Sequence, residues 1–273
     1  MIPGSLQSAV EIGFRFDAAR RRTLLSRRRA GGLCHIGKPY WDGEVLGLQL
    51  VNPTAGLFAG DRLSLDVEIG DGANAALTSP SASRYHTMPD GRADLVQNFV
   101  VGADAWIDYW PEFVIPQRDS WVRQTTQINL DESAQMVFLD RLVPGRVAHG
   151  ERFAFRKLES LLQIRVGGEL QVRERSVIEP AQGVWPLEVP GWELCYYGAI
   201  WIAGTAAAPA VDRLASLTGF PDGVRCGASL LTPTLGTVRF ITSSSLLLGS
   251  VARQLRSLLR EDFPRLSTDF RKL

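Results

Sequence analysis

Between residues 62 and 78 apolar and polar positions alternate with a period of two. Leu63, Leu65, Val67 and Ile69 are separated by Ser64, Asp66 and Glu68, the pattern of a strand with one buried face. Asp71-Gly72 then supplies a tight turn, and Ala73 to Thr78 reads as a second strand. Val10 to Phe16 alternates in the same way. Leu33 to Trp41 predicts a short strand stopped by Pro39.

The strand–turn–strand unit recurs. Ile69-Gly70-Asp71-Gly72-Ala73, Val101-Gly102-Ala103-Asp104-Ala105, Leu130-Asp131-Glu132-Ser133-Ala134 and Val166-Gly167-Gly168-Glu169-Leu170 each join two strand-like runs. Measured at Ala73, Ala105, Ala134 and Leu170, the units lie 32, 29 and 36 residues apart. A period near 30 built from strands predicts stacked layers, whereas any all-β chain has turns at comparable intervals; the shared five-residue turn favours stacking. Helical periodicity comes late. Pro209 to Thr218 places Val211, Leu214 and Leu217 on one face and ends at Gly219. Leu246 to Asp262 carries a stripe of Leu247, Val251, Leu255, Leu258 and Leu259, with Arg253, Arg256 and Arg260 largely off it. The expected class is mainly β, a layered β-helical or solenoid-like arrangement with two C-terminal α-helices. No linker demands a split. We expect one domain over residues 1–273, with β layers to about residue 205 and a mixed region from about 206.

Composition changes this picture little. Of 273 residues, 45% are hydrophobic and 22% charged, and 30 basic against 29 acidic side chains leave a net charge of +1. That balance gives no global drive toward nucleic acid or an anionic membrane. Cys34, Cys195 and Cys226 are far apart and odd in number, which argues against a disulfide framework and for a cytoplasmic setting. The first residues show no basic region followed by an apolar run, so no secretory signal is expected. The longest uncharged window, Leu194 to Val211, has 18 residues interrupted by Gly198, Gly204 and Pro209. A membrane span needs about 20, so the window reads as a buried strand leading into a helix. Arg20 to Arg22 and Arg27 to Arg29 read as the solvated outer face of a hairpin, with an electrostatic docking patch as the other reading.

Signatures of catalysis fail one by one. The glycine-rich loop Asn52-Pro53-Thr54-Ala55-Gly56-Leu57-Phe58-Ala59-Gly60-Asp61 lacks the lysine of a phosphate loop, and a strand follows it instead of a helix. There is no G-x-S-x-G elbow, and His35, His86 and His149 have no nucleophile in context. No CxxC, HxxH or HxxxH pair is present, so a tight structural zinc site is not expected. Five carboxylates do lie in otherwise apolar settings: Asp61, Asp108, Glu112, Asp140 and Glu174. They fit a weak, transient path for a divalent cation. They equally fit ion pairs with the many arginines, or, for Asp140, a turn with Arg141. Trp106, Tyr109, Trp110, Phe113 and Trp121 are either core or a partner-binding patch. A binding or scaffolding role is left.

Five ordered segments resemble the urease accessory protein UreD family, called UreH in some organisms. Asn52-Pro53 with Gly56, Gly60 and Asp61 resembles its NPxGGxxGGD loop, and Thr78-Ser79-Pro80 with Ser83-Arg84 its TTPxxTK segment. Tyr109 to Glu112 with Val114 to Pro116 resembles its LPQExI-type segment. Gly145-Arg146 with His149-Gly150-Glu151-Arg152-Phe153 resembles its GRxAxGExF segment, and Leu33 to Tyr40 its N-terminal strand. The chain departs from the pattern at Ala55, Ala59 and Arg84, and its Phe263-Pro264-Arg265-Leu266 lacks the family's terminal tryptophan. The resemblance implies a non-catalytic maturation factor. Such a factor joins UreF-like and UreG-like partners, docks on urease apoprotein and helps deliver nickel, with no tightly bound cofactor. It implies a polar passage whose lining would include Asp61, Asp140 and Glu174, with Thr78 and Ser79 nearby. The alternative is a β-solenoid hydrolase or ligand-binding protein unrelated to urease.

Overall fold

The computed structural model describes residues 5–54, 56–182 and 196–267. The chain opens with a hairpin of β1 (Gln7–Asp17) and β2 (Arg22–Arg29). Then come β3 (His35–Ile36), β4 (Tyr40–Asp42) and β5 (Val45–Val51). The central part comprises β6 (Gly56–Leu57), β7 (Arg62–Ile69), β8 (Asn74–Thr78), β9 (Ser83–Tyr85) and β10 (Ala93–Val101). It continues with β11 (Trp106–Trp110), β12 (Val114–Pro116), β13 (Trp121–Leu130) and β14 (Gln135–Leu142). After β15 (Lys157–Val166) and β16 (Glu169–Ile178) the described chain resumes with β17 (Tyr196–Ala203) and α1 (Ala207–Ala215). β18 (Val224–Thr232), β19 (Leu235–Thr242) and α2 (Ser245–Leu259) follow.

The recurring unit is the coil of a β-solenoid. β7, β10, β13 and β15 lie side by side and parallel in one sheet. β8, β11 and β14 do the same in the facing sheet, and β6, β9 and β12 form a short third wall. The turns hold the coils in register. Asp71 accepts the Ala103 N–H at 2.9 Å, and Ser133 accepts the Asp104 N–H at 2.8 Å, each reaching from one coil to a neighbouring one. Gly102 is needed there, because a Cβ on it would lie 2.3 Å from the Asp71 carboxylate.

Register then aligns like with like inside the stack. Ile12, Val67, Phe99, Ile128, Ile164 and Val172 are successive cross-strand partners and all are buried. The facing sheet contributes Leu77, Tyr109, Phe138 and Trp201 in the same manner. Two residues further from the turns the inward row becomes polar. Leu65 is followed across the strands by Gln97, Thr126, Leu162 and Glu174. The next row holds Leu95, Gln124, Ser160 and Ser176.

The fourth unit departs from the expected stacking. Gly167 and Gly168 both have positive φ, 58° and 84°, so the chain reverses in a two-residue hairpin and β16 pairs antiparallel with β15. The earlier turns have at most one such residue, Gly72 or Asp104, and the chain crosses to the other sheet. The facing sheet is extended instead by antiparallel β17, β19 and β18.

Both helices cover the outer face of that sheet, and α1 and α2 begin and end within a few residues of their expected bounds. Of the apolar window, residues 196–211 form β17 and the start of α1, while Leu194 and Cys195 lie outside the described residues. Among the described residues no helix is long and apolar enough to cross a membrane. Trp106, Tyr109 and Trp110 are core; Phe113 and Trp121 are half-buried. The arginine segment is a hairpin with Arg27, Arg28 and Arg29 exposed and Arg29 paired to Glu11.

Arg256 is not off the stripe of α2. It is buried and grips the fully buried Asp108 of β11 through two bonds of 2.9 and 2.5 Å, under the ring of Trp110. Burial pushes the Asp108 carboxyl above its ordinary value and the Arg256 guanidinium pulls it back. Removing one partner of such a pair strands the other charge in the core. Arg256→Leu should therefore cost about 3–5 kcal/mol in urea unfolding. The double change Asp108→Leu, Arg256→Leu should recover most of that loss.

Candidate functional site

The polar rows open a space between the two sheets. A cavity of about 540 Å³ is lined by Asp140 of β14, Glu174 of β16, Tyr197 of β17 and Arg239 of β19, among others. A second, of about 150 Å³, is lined by Cys34, Asn52, Ser79, Tyr109 and Glu112. Tyr85 and Val114 belong to both linings, so the two spaces abut.

A chain of neutral side chains runs beside this contact. Gln97 donates to the Tyr109 hydroxyl at 2.9 Å and accepts from Thr126 at 2.9 Å. Gln124 donates to Gln97 at 3.4 Å and accepts from the Tyr85 hydroxyl at 3.3 Å. Burial pushes both phenols up, so they stay protonated at neutral pH. Burial likewise pushes the Cys34 thiol up to about 11, which keeps it neutral in the smaller cavity.

Asp140 stands apart. It lies within strand β14 and not in a turn, which corrects the turn reading. Among the described residues no lysine, arginine or histidine makes an ion pair with it. Its backbone is in the sheet while its side chain faces the cavity and keeps some accessible surface. Burial pushes its carboxyl up to about 6, with the charge of Glu174 adding to the rise and the Arg141 N–H opposing it. Glu174 enters the cavity from the opposite sheet, ion-paired to Arg239. Glu112 of the smaller cavity is paired to Arg141 at 3.2 Å, and Arg141 also donates to the Pro111 carbonyl.

The remaining motif residues build walls. Asp61 is buried and accepts the N–H groups of Leu6 and Phe58, both at 2.8 Å, so each carboxylate oxygen is used in closing the glycine loop. It belongs to neither lining. Asn52 bonds the Gly56 carbonyl and the Thr54 N–H, fixing the same loop. Gly56 packs against β9, where a Cβ would lie 2.0 Å from the Arg84 carbonyl oxygen, and Gly60 has φ 83°. Thr78 donates to the Trp110 carbonyl at 2.7 Å and lines neither cavity, whereas Ser79 lines the smaller one and accepts the Glu112 N–H.

Gly145, Arg146, Gly150 and Glu151 form a brace at some remove from both spaces. Arg146 and Glu151 make two bonds of 2.8 and 2.6 Å, which hold Glu151 below the usual carboxylate range. Gly150 caps a short 3-10 helix, Val147–His149, at φ 70°. At Gly145, φ 125°, a Cβ would lie 2.1 Å from the Glu151 carbonyl oxygen.

The structure thus brings Asp140 and Glu174 together, adds Ser79 in the adjoining space, and sets Asp61 and Thr78 aside as supports. Sequence reasoning missed Arg239, Tyr85, Gln97 and Gln124. For Gln97, Gln124 and Arg239 the available signal was parity, since each is a polar residue at an inward position of an alternating strand, though parity alone does not join Arg239 to Glu174. Among the described residues no three His, Cys, Asp or Glu side chains cluster as a chelating set. Two opposed carboxylates with hydroxyls nearby can attract a hard or borderline divalent ion but not hold it tightly.

Comparison with known proteins identifies relatives over most of the chain. The family model for the UreD urease accessory protein matches residues 7–270. A urease accessory protein UreD of Opitutus terrae is 38% identical over 88% of this chain and 89% of its own length. That of Deinococcus radiodurans is 30% identical over 78% and 76%, and that of Klebsiella aerogenes 27% over 91% and 90%. With the family model spanning nearly the whole chain, this protein belongs to the UreD urease accessory protein family.

Proposed function

We propose that this chain is a non-catalytic maturation factor that passes nickel toward urease apoprotein while assembled with UreF-like and UreG-like partners. The observation that carries the reading is the inter-sheet cavity in which Asp140 and Glu174 face each other from opposite sheets. Nickel is cargo in this scheme. An ionised Asp140 draws the cation in, and Glu174 offers a second carboxylate. The Tyr85–Gln97–Tyr109 chain then supplies neutral oxygens toward the smaller cavity with Ser79, Glu112 and Cys34. Because no chelating triad is assembled among the described residues, residence is brief, as a transfer path requires.

The roles of the carboxylates separate by variant. Asp140→Asn and Glu174→Gln should leave copurification with UreF-like and UreG-like partners intact while lowering the nickel content and activity of co-expressed urease by about tenfold or more, as for loss of a charged ligand. Asp61→Ala should instead remove the two part-buried bonds that close the glycine loop, at about 0.5–1.5 kcal/mol each, lowering stability and copurification together. Normal nickel loading of urease by the Asp140→Asn, Glu174→Gln double variant would refute the path.

Asp140 also carries a pH signature. Its folded carboxyl is raised from 3.8 to about 6. The folded state therefore has the advantage of this group in full below about pH 4, and loses it as pH rises to about 6. With metal chelated, Asp140→Asn should melt above the wild type at pH 7, and the gap should close as pH falls from about 6 to about 4. Thermal denaturation across that range measures it.

A further inference from the structure

Asp140, Ala199 and Arg239 are cross-strand partners on β14, β17 and β19, so their side chains leave the sheet on the same face. Ala199 between them is small, and the row opens directly on the larger cavity. Arg239 reaches across the gap to the facing sheet and pairs with Glu174. Its guanidinium also lies 5.5 Å from the centre of the Trp201 ring, a second seat for the cation. The side chains of Arg239 and Glu174 are 46% and 33% exposed, so the pair stands where solvent enters the space that Asp140 lines. Of the other charged side chains on the lining, Arg141 is held by Glu112 and Glu159 by Arg123 and Lys157, while Arg175, next to Glu174 on β16, also borders the space.

We propose that Arg239 is the cation that neutralises Glu174 in the unloaded chain, and that a divalent ion must displace it to be shared by Glu174 and Asp140. The inference rests on the cation-path reading above and adds to it a specificity-determining residue. Charge matching explains the arrangement. With Arg239 seated, the two carboxylates and one guanidinium leave a single negative charge. A monovalent ion that evicts Arg239 merely replaces one positive charge by another and loses the guanidinium's charge-assisted hydrogen bond to Glu174. A divalent ion meets Glu174, freed by the move, together with Asp140, which no cation holds, and balances both, while Arg239 falls back on the Trp201 face and solvent. The pair thus rejects abundant monovalent ions and keeps divalent affinity modest, so that the ion is released again.

The test is nickel binding to the purified full-length chain by equilibrium dialysis against nickel chloride. Arg239→Gln should bind nickel about two- to fivefold more tightly than wild type, the size of a half-exposed ion pair. Arg239→Lys, which keeps a cation in place, should stay near wild type. In a Glu174→Gln background, Arg239→Gln should change nothing, since there is no carboxylate to free. Arg239→Met, which keeps the chain over Trp201, replaces Arg239→Gln should the latter lose its native circular dichroism. Unchanged or weaker nickel binding on removing the guanidinium, or the same gain in both backgrounds, overturns the proposal. Equal nickel binding by wild type and Glu174→Gln instead overturns the cation-path reading itself, and the role of Arg239 with it.

Discussion

The register between stacked coils is the constraint on which everything else rests. Side chains alternate across a strand with a period of two, so a slip of one residue would turn every inward side chain outward. Here Asp71 and Ser133 bond the backbone of a neighbouring coil and forbid that slip. Once register is fixed, whatever one coil places at an inward position is extended by the next. Near the turns the result is an apolar row from Ile12 to Val172. Farther away it is a polar row through Gln97, Thr126 and Glu174. Beyond it Ala93, Val122, Leu158 and Ile178 are apolar again, so a core with a polar middle between two apolar ends follows from the parity of a few residues.

Two buried aspartates and one half-buried aspartate show how differently a fold can treat one functional group. Asp108 is neutralised by Arg256 and serves to fasten α2 to the sheet. Asp61 is satisfied by two backbone N–H groups and fastens a loop. Asp140 has no cation and only the Arg141 N–H, and is left with a raised pKa facing an internal space. A buried carboxylate without a cation is a standing cost to the folded state, and such costs persist where function needs them. It is the identity of the partner that separates support from site.

Much of the fold was legible in the sequence because it is local. Alternation marked the strands, and the five-residue turns at Ala73, Ala105 and Ala134 marked the coils. The fourth turn misled because a Gly-Gly pair resembles the other turns in composition but takes two positive φ values and closes a hairpin. Arg256 misled for a different reason: a charge on a helix normally faces solvent, and only the long-range proximity of Asp108 makes its burial affordable. Within the site, Asp140 and Glu174 were visible as charges in apolar runs. Thr78 was visible only through motif position, and Asp61 through its motif and its apolar setting, neither of which distinguishes lining from scaffold. Arg239 could not be found from its own segment, because its significance lies in Glu174, 65 positions away on the other sheet.

On the proposed reading, weak cation binding in the cavity follows from the same geometry. A tight divalent site needs three or more ligands converging from rigid elements, and a solenoid interior offers one inward residue per strand per row. Opposite sheets can bring two carboxylates to face each other, but adding a third at the same height would require a neighbouring rung to carry one, and those rungs carry Leu162 and Ala199 instead. The rows above and below supply amide, hydroxyl and phenol groups, which can accept a cation's hydration shell without replacing it. An interior of this kind spreads weak ligands along a line where a chelating site would concentrate them at a point. On the proposed reading that distribution is what allows an ion to move: each step exchanges a few oxygen contacts for similar ones, and no position is deep enough to trap it.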